Sequence, residues 1–554
     1  MTIAKTIQVN KRYLCFPAAF SGQEVRLIIE SCEKRLHDIS LWVSPDYTCQ
    51  TDRPGFIGWI DLSAFMGGEV VLRGDLPDNW FNYVYLQDTK PDVVDRGERP
   101  QIHFTARQGW INDPNGLIVY EGVYHLFYQY NPFSKSWGNM HWGHATSTDL
   151  VIWTEHDPAI YPNAYGVAFS GCAVIDSENV AGLGAGAMIL YYTAYAEKSP
   201  DIAGAPFEPQ QAESTIRRYY SLDHGQTFHF DPDFVIEQIV PGNRDPKVFY
   251  HLQSEAWIMV LFLEHHEFAV LRSKDLNEWS VSQRFSLENT WECPDLFQLE
   301  DPESHRSYWI FWTGDGYYYI GDFDGRCFTN ISGQKQSTLT PLAYAAQTFF
   351  NTTNRIISLC WLRTANFYSP YNGMMSLPKE LSLRQTEAGL VLVQMFVHEI
   401  CSRLISTKNQ VVTNQFSHVH VGGAFQLKFK IDRQSCTTLQ NVAEIDILEK
   451  KISLDLRSLT LSASNTSFKI PDRPLLDFDI FIDYGIIEII IDGGTIYTAI
   501  EYYFSSLTGN VRLTASEETL FRDIEINDFL VQNQSAASSG QEARHENSTD
   551  IRPR

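Results

Sequence analysis

The chain has little positive charge for its length: 43 lysines and arginines stand against 67 aspartates and glutamates in 554 residues, a formal net charge of -24. Nucleic acid and anionic membranes need a basic footprint, so neither is expected as a partner. An acidic surface is also simply a well-solvated one, and it leaves neutral substrates open. No run approaches 18 consecutive apolar residues, which excludes a membrane-spanning helix. The first 20 residues scatter Lys5, Lys11 and Arg12 and lack an uninterrupted apolar core with a small-residue cleavage site. No secretory signal is therefore expected. Nine cysteines, an odd count with no C-x-x-C pair, fit reduced thiols. The expectation is a cytoplasmic protein whose Asn-x-Ser/Thr sites at Asn330, Asn351 and Asn465 stay unmodified. Metal-ligand spacing is missing as well. His125, His141, His144 and the His265-His266-Glu267 run form no H-E-x-x-H pattern, and no Gly-rich phosphate loop is present. Neither a metal nor an organic cofactor is expected.

What the chain does have is short apolar runs at strand spacing, 44% hydrophobic residues and 13% aromatics. Its length calls for two to four domains. Residues 1–97 hold alternating runs such as Val25-Arg26-Leu27-Ile28-Ile29 and Ile57-Gly58-Trp59-Ile60, punctuated by Pro54-Gly55 and Gly67-Gly68, and predict a small all-β module. The polar stretch 88–100 reads as a linker. Beyond residue 387 the texture changes. Phe425, Leu427, Phe429 and Ile431 alternate with polar residues, as do Phe478, Ile480 and Ile482, and Asp492-Gly493-Gly494 supplies a tight turn. That alternation predicts a β-sandwich over 387–532. The tail, 533–554, is polar and without apolar repeat, and is expected to be disordered.

Between them, over 98–386, a motif repeats. Ser147-x-Asp149-Leu150-x-x-Trp153 recurs as Ser273-x-Asp275-Leu276-x-x-Trp279, with looser copies at Ser221-x-Asp223-x-Gly225-x-x-Phe228 and Asp322-x-Asp324-Gly325-x-x-Phe328. The first interval is longer than the others, and 196–214 looks inserted. An acidic turn followed by an aromatic, recurring every ~50 residues between strands, fits the edge hairpin of β-propeller blades. Four unrelated turns are the alternative, since Asp, Ser and Gly favour turns anyway.

Three carboxylates in this region stand in distinctive company. Asp113 sits in Trp110-Ile111-Asn112-Asp113-Pro114-Asn115-Gly116, Asp245 in Arg244-Asp245-Pro246, and Glu292 in Trp291-Glu292-Cys293-Pro294-Asp295. Cleaving a sugar acetal through an oxocarbenium-like transition state needs two carboxyl groups in different protonation states. Asp113 is the candidate nucleophile, with Asn112 and Asn115 as hydrogen-bond donors that favour its ion. Its turn could equally be an Asx-turn opening a hairpin. Glu292 is the candidate acid/base, facing an anionic neighbour that would raise its pKa. A retaining pair should lie about 5 Å apart. Arg244 and Asp245, adjacent in a strand, would point to opposite faces unless a bulge or strand end aims both at a sugar, with Arg244 shielding Asp245. Tyr128-Gln129-Tyr130-Asn131, Trp137, Trp142 and Phe169-Ser170-Gly171 supply the aromatic and amide partners of a sugar subsite, or else core packing.

These segments, in this order, resemble glycoside hydrolase family 32, the invertases, inulinases and levanases. The resemblance runs over about residues 98–530 and rests on WINDPNG (110–116), FYQYNP (127–132), WGNMHWGHA (137–145), FSG (169–171), RDP (244–246), WECPDLF (291–297), GDFDG (321–325), AAQTF (345–349) and LPKELSL (377–383). It implies an all-β protein, a five-bladed β-propeller followed by a β-sandwich, that hydrolyses β-fructofuranosides with retention and without a metal or cofactor. By the same resemblance Asp113 is the nucleophile, Glu292 the acid/base and Asp245 the transition-state stabiliser, with Arg244 beside it. The family's binding positions fall on Asn112, Gln129, Trp137, Phe169 and Ser170. The chain departs from the family in two places. Where members read Gly-Trp-Met-x-Asn-Trp, it reads Cys360-Trp361-Leu362-Arg363-Thr364-Ala365-Asn366-Phe367, keeping Trp361 as a binding residue but not the second tryptophan. It also carries the N-terminal module, whose open roles include packing on the propeller, mediating a homodimer, or narrowing the funnel mouth.

The expected activity is β-fructofuranosidase action on sucrose and short fructo-oligosaccharides. Two rivals are a fructosyltransferase using the same site, and a sugar-binding propeller without catalysis.

Overall fold

The computed structural model describes residues 3–19, 22–32, 34–43, 56–77, 79–93, 99–196, 213–365, 369–433, 442–515 and 520–530. The Pro54-Gly55 turn, most of the 196–214 insertion, Asn366, Phe367 and the expected disordered tail lie outside them. Regular structure is almost entirely strand, and no helix among the described residues is long and apolar enough to cross a membrane.

The N-terminal residues form two facing antiparallel sheets. One has four strands, Ile3–Gln8, Glu69–Gly74, Gln23–Ser31 and Lys34–Val43 in that spatial order; the other has Phe56–Asp61, Tyr13–Ala18 and Tyr85–Gln87. Their alternating apolar positions meet in a core containing Leu14, Phe16, Leu27, Ile29, Leu72 and Trp80. Phe133, from the next domain, belongs to the same core, so the module is seated on the propeller.

Five sheets follow in chain order. Each runs antiparallel from an inner strand outward: Gly109–Tyr120, Val167–Asp176, Arg244–His251, Asp295–Glu300 and Ala343–Thr348 are the inner strands. They lie side by side around one axis. On that axis Lys247 Nζ reaches Asp295 Oδ2 at 3.1 Å, and Asp295 Oδ2 accepts from Thr348 N and Oγ1 at 2.7 and 2.8 Å. Three inner strands are thereby tied together by polar groups whose burial requires such pairing.

The repeated motif is the turn joining the third and fourth strands of the first four sheets. In each copy the aspartate accepts from backbone N–H groups two to four residues on. Asp149 takes those of Val151 and Ile152, Asp223 those of Gln226 and Thr227, Asp275 those of Asn277 and Glu278, and Asp324 those of Arg326 and Cys327. The residue after the aspartate is left-handed each time: Leu150, His224, Leu276 and Gly325 have φ of 62°, 60°, 62° and 83°. One turn geometry, used four times, is what the spacing recorded.

The fifth sheet corrects one boundary. Strand Gly389–Phe396 pairs along its whole length with Lys379–Thr386, so the division expected at 386 cuts a hairpin; the sheet closes at Phe396. Beyond the short helix His398–Cys401, two six-stranded sheets face each other. Phe425, Leu427, Phe429 and Ile431 meet Phe478, Ile480 and Ile482 between them, as the alternation predicted. The protein is thus a β-propeller followed by a β-sandwich, with a smaller β module in front.

Candidate active site

The inner strands depart from regular pairing at one common level. The register shifts between Ile111 and Pro114 on the first, Phe169 and Gly171 on the second, Arg244 and Lys247 on the third, and Tyr344 and Gln347 on the fifth. Asp113, Ser170, Asp245 and Ala345 sit inside those irregularities. A bulge breaks the alternation of side chains and re-aims one of them, which resolves how Arg244 and Asp245 can both face the site. Asp245 has φ 61°, and Glu292 and Cys293, just before the fourth inner strand, have φ 32° and 46°. Non-glycine residues hold such angles only where their surroundings over-determine them, most often at functional sites. Gly171 is required by the same crowding: a Cβ there would stand 2.0 Å from the Tyr191 carbonyl oxygen.

The three carboxyls converge with Arg244. Arg244 donates from Nε and Nη2 to Glu292 Oε2 at 2.9 and 2.7 Å and lies 3.7 Å from Asp245 Oδ2. Arg244 therefore shields Asp245 by its charge alone, while its hydrogen bonds go to Glu292 and to the Gly242 carbonyl and its plane rests over Phe262 and Trp291. Cys293 links the other two. Its backbone N–H donates to Asp245 Oδ2 at 3.0 Å, and its Sγ is 3.5 Å from both Asp113 Oδ2 and Asp245 Oδ2. Ser170 Oγ donates to Asp113 Oδ2 at 2.7 Å.

Burial dominates the electrostatics. It pushes Asp113 above the usual carboxylate range and the nearby Glu292 charge adds to this, while hydrogen bonds from Ser170, Asn112 and Cys293 act the other way. Asp245 is pushed up to about 7, first by burial and also by Glu292 and Asp113, against the pull of Arg244. Like-charge repulsion, expected from the sequence at Glu292, acts on these two aspartates. The expectation that amide donors hold Asp113 as an easy anion is corrected in part. Asn112 contributes, but Asn115 turns away: its Oδ1 accepts from Gly171 N at 3.2 Å, and its Nδ2 is buried without a partner.

The predicted binding residues are brought to the same region to differing degrees. Asn112 Oδ1 accepts from Trp110 Nε1 at 2.8 Å. Trp137, 52% exposed, meets the edge of Phe169, which itself stacks on Tyr195 at 4.6 Å. Trp361 packs edge-on against Trp110 at 5.5 Å, and its Nε1 is buried with no hydrogen-bond partner among the described residues. Gln129 is the least available: it is buried and its Nε2 donates to the Ala168 carbonyl. Sequence reasoning missed two residues. Tyr344 donates its hydroxyl to Glu292 Oε1 at 2.6 Å, and Arg363 stacks its guanidinium 3.5 Å from the Tyr344 ring centre. Tyr344 immediately precedes the AAQTF run, so its position was in view, but nothing in the order of residues marks its partner.

The model of the glycosyl hydrolases family 32 N-terminal domain matches residues 103–394. A levanase of Bacillus subtilis is 33% identical over 338 residues, 55% of this chain and 48% of the levanase, so the match spans about half of that protein. An extracellular exo-inulinase of Aspergillus niger is 28% identical over 473 residues, 71% of this chain and 87% of the inulinase. Among solved structures, a fructofuranosidase of Schwanniomyces occidentalis complexed with fructose superposes with a TM-score of 0.68 at 25% identity, covering 79% of this chain and all of that one. The domain match spans the five inner strands whose irregularities assemble the carboxyl cluster, and on that ground the chain belongs to family 32 of the glycosyl hydrolases.

Proposed function

We propose that the protein, a glycosidase of the β-fructofuranosidase type, removes terminal β-D-fructofuranosyl units from sucrose and short fructo-oligosaccharides with retention of configuration. The convergence of Asp113, Asp245 and Glu292 around Arg244, the first two from inner strands and Glu292 from the segment leading into another, carries this reading. The names of its relatives, levanase, exo-inulinase and fructofuranosidase, support the substrate class.

Asp113 attacks the anomeric carbon of the fructosyl ring. The glycosidic C–O bond breaks and its oxygen takes a proton from Glu292. Water then gives a proton back to Glu292 and displaces Asp113 from the fructosyl ester. The resting cluster is arranged to hold that proton. With two buried aspartates pushed upward and one guanidinium against three carboxyls, full ionisation is unfavourable near neutrality, and the proton belongs to the group as a whole. When fructose hydroxyls occupy the Asp245 oxygens, that aspartate is stabilised as an anion and the proton passes to Glu292. Asp245 then stabilises the developing positive charge. Tyr344 and Arg244 orient the Glu292 carboxyl from two sides.

The test is product chromatography on sucrose, inulin and levan. Hydrolysis gives equal glucose and fructose from sucrose, whereas glucose in excess identifies transfer to a second sugar. Asp113→Asn should abolish turnover with the fold intact. Sugar binding by calorimetry with no glucose released by the parent protein would overturn the reading in favour of a non-catalytic propeller. A cytoplasmic setting belongs to the same proposal and is supported by seven described cysteines all being free thiols; fractionation of the source cells tests it.

A further inference from the structure

Where the N-terminal module meets the propeller, the two surfaces enclose a cavity of about 220 Å³ lined by His37, Trp59, Asp61, Phe133, His141 and Tyr161. None of these residues lines the pocket around Asp113 and Asp245. Three come from strands of the module and three from the propeller, so the cavity exists only where both are present. It is far larger than an ordered water needs and smaller than the sites of drug-sized molecules, which leaves room for a ligand of one or two rings.

The chemistry of the lining narrows the choice. Its charges are already neutralised. Asp61 accepts two hydrogen bonds from Arg12, at 2.9 and 2.8 Å, and one from Ser63 N at 2.8 Å. Lys90, which lies 4.6 Å from the Trp59 ring centre, pairs with Asp157. A charged ligand would find no free counter-charge among the described residues that line it. Several neutral polar groups, by contrast, are uncommitted. His141 is 3% exposed, and only its Nδ1 is engaged, by the Asn139 carbonyl. Its Nε2, the His37 ring and the Tyr161 hydroxyl have no hydrogen-bond partner among the described residues. Burial pushes His37 down to about 4 and His141 to about 3, so both rings are neutral at ordinary pH. These groups border the cavity, where a ligand carrying hydroxyl groups can bond them. The remaining lining is apolar: Trp59, Phe133 and Tyr161 supply rings, and Ile60, Pro132 and Pro158 complete it.

Aromatic surfaces with unpaired neutral hydrogen-bonding groups between them suit a sugar ring. We propose that this junction is an accessory carbohydrate site that takes one fructosyl or glucosyl ring, apart from the catalytic pocket. The choice of a sugar rests on the fructosidase reading above; the vacancy for a neutral ring does not. The position is consequential. Phe133 and His141 bracket the loop that carries Trp137, and Asn139 of that loop both accepts from Ser40 N and donates to Ser40 O, at 2.8 and 2.6 Å. A ring held in the cavity touches module and loop together.

The experiment titrates the full chain carrying Asp113→Asn with 1-kestose by calorimetry and, in a second arm, the parent protein with free fructose and with glucose by ligand-observed NMR. Two binding events are expected with 1-kestose. Trp59→Ala should weaken one of them at least tenfold and Tyr161→Phe severalfold, while sucrose cleavage by either variant on the parent background stays within twofold. Tyr161 is 41% exposed, so loss of its hydroxyl leaves folding intact even if the tryptophan variant misfolds. A single binding event, or a second one indifferent to both substitutions, in both arms overturns the proposal. Turnover by the Asp113→Asn protein would instead count against the catalytic assignment, and the fructose and glucose arm then decides the accessory site alone.

Discussion

The joint between propeller and sandwich contains a fully buried ion cluster whose pH response can be worked out. His103 lies with both ring nitrogens against carboxylates, Nδ1 at 2.9 Å from Asp483 and Nε2 at 2.8 Å from Glu488, and all three side chains are 0% exposed. A ring that faces acceptors on both sides must carry both protons. Burial opposes the charge, but hydrogen bonds and attraction from the two carboxylates outweigh it and hold His103 up at about 9. Asp483 is further fixed by the backbone N–H groups of Gln101, Ile102 and His103, and Glu488 by that of Leu377. The folded value lies above the unfolded 6.5, so this contribution is complete below pH 6.5 and is lost as pH rises through about 9. The gap corresponds to about 3 kcal/mol. His103→Gln cannot satisfy both anions as a cation does and should cost roughly 3–5 kcal/mol at pH 6.5, the range for breaking a buried pair. Denaturant unfolding of both proteins at pH 6.5 and 9.5 checks this. The parent should lose about 3 kcal/mol more than the variant over that interval, so the difference between them narrows. A difference that does not change with pH would refute the reasoning.

Three further outcomes follow from the site. Tyr344→Phe removes the 2.6 Å hydrogen bond to Glu292 and should lower kcat/KM by about tenfold or more, given what a bond to a charged group is worth. Steady-state kinetics on sucrose measures it, with KM little changed. Ser170→Ala removes a bond that favours the Asp113 anion, so Asp113 moves further up and the acid limb of the kcat/KM profile shifts to higher pH. A limb that stays in place or moves down contradicts the role given to Ser170. Lys247→Met leaves the 1%-exposed Asp295 carboxylate without its cation and should destabilise the propeller by roughly 3–5 kcal/mol, read from thermal or denaturant unfolding.

Much of this was legible in the sequence, and the reason is periodicity. The Ser-x-Asp-Leu turn is a local device whose aspartate bonds its own backbone, so its spacing survives in one dimension and marked the edge hairpins of four sheets. The fifth lacks the aspartate. Its hairpin, Thr386 to Gly389, carried no mark, and the boundary was misplaced there. The strand alternation at Phe425–Ile431 and Phe478–Ile482 was likewise readable, because a half-buried strand shows its inner face every second residue. The three candidate carboxyls were legible through their neighbours, but their environment was not. Which group Arg244 bonds, where Asn115 points, and the hydroxyl of Tyr344 on Glu292 depend on bulges at one level of separate inner strands. A bulge is a two-strand event and leaves no fixed signature in either strand. The cavity under Trp59 and Tyr161 was invisible for the same reason, since its lining comes from segments up to 124 positions apart, His37 to Tyr161.

The most direct test of the proposed mechanism is where the sugar is held between the two halves of the reaction. Enzyme quenched in acid while turning over sucrose, digested and read by mass spectrometry, should carry a fructosyl ester on the peptide containing Asp113, and the first-released fructose should keep the β configuration. An adduct on a different residue, or inverted product with no adduct anywhere, would contradict it.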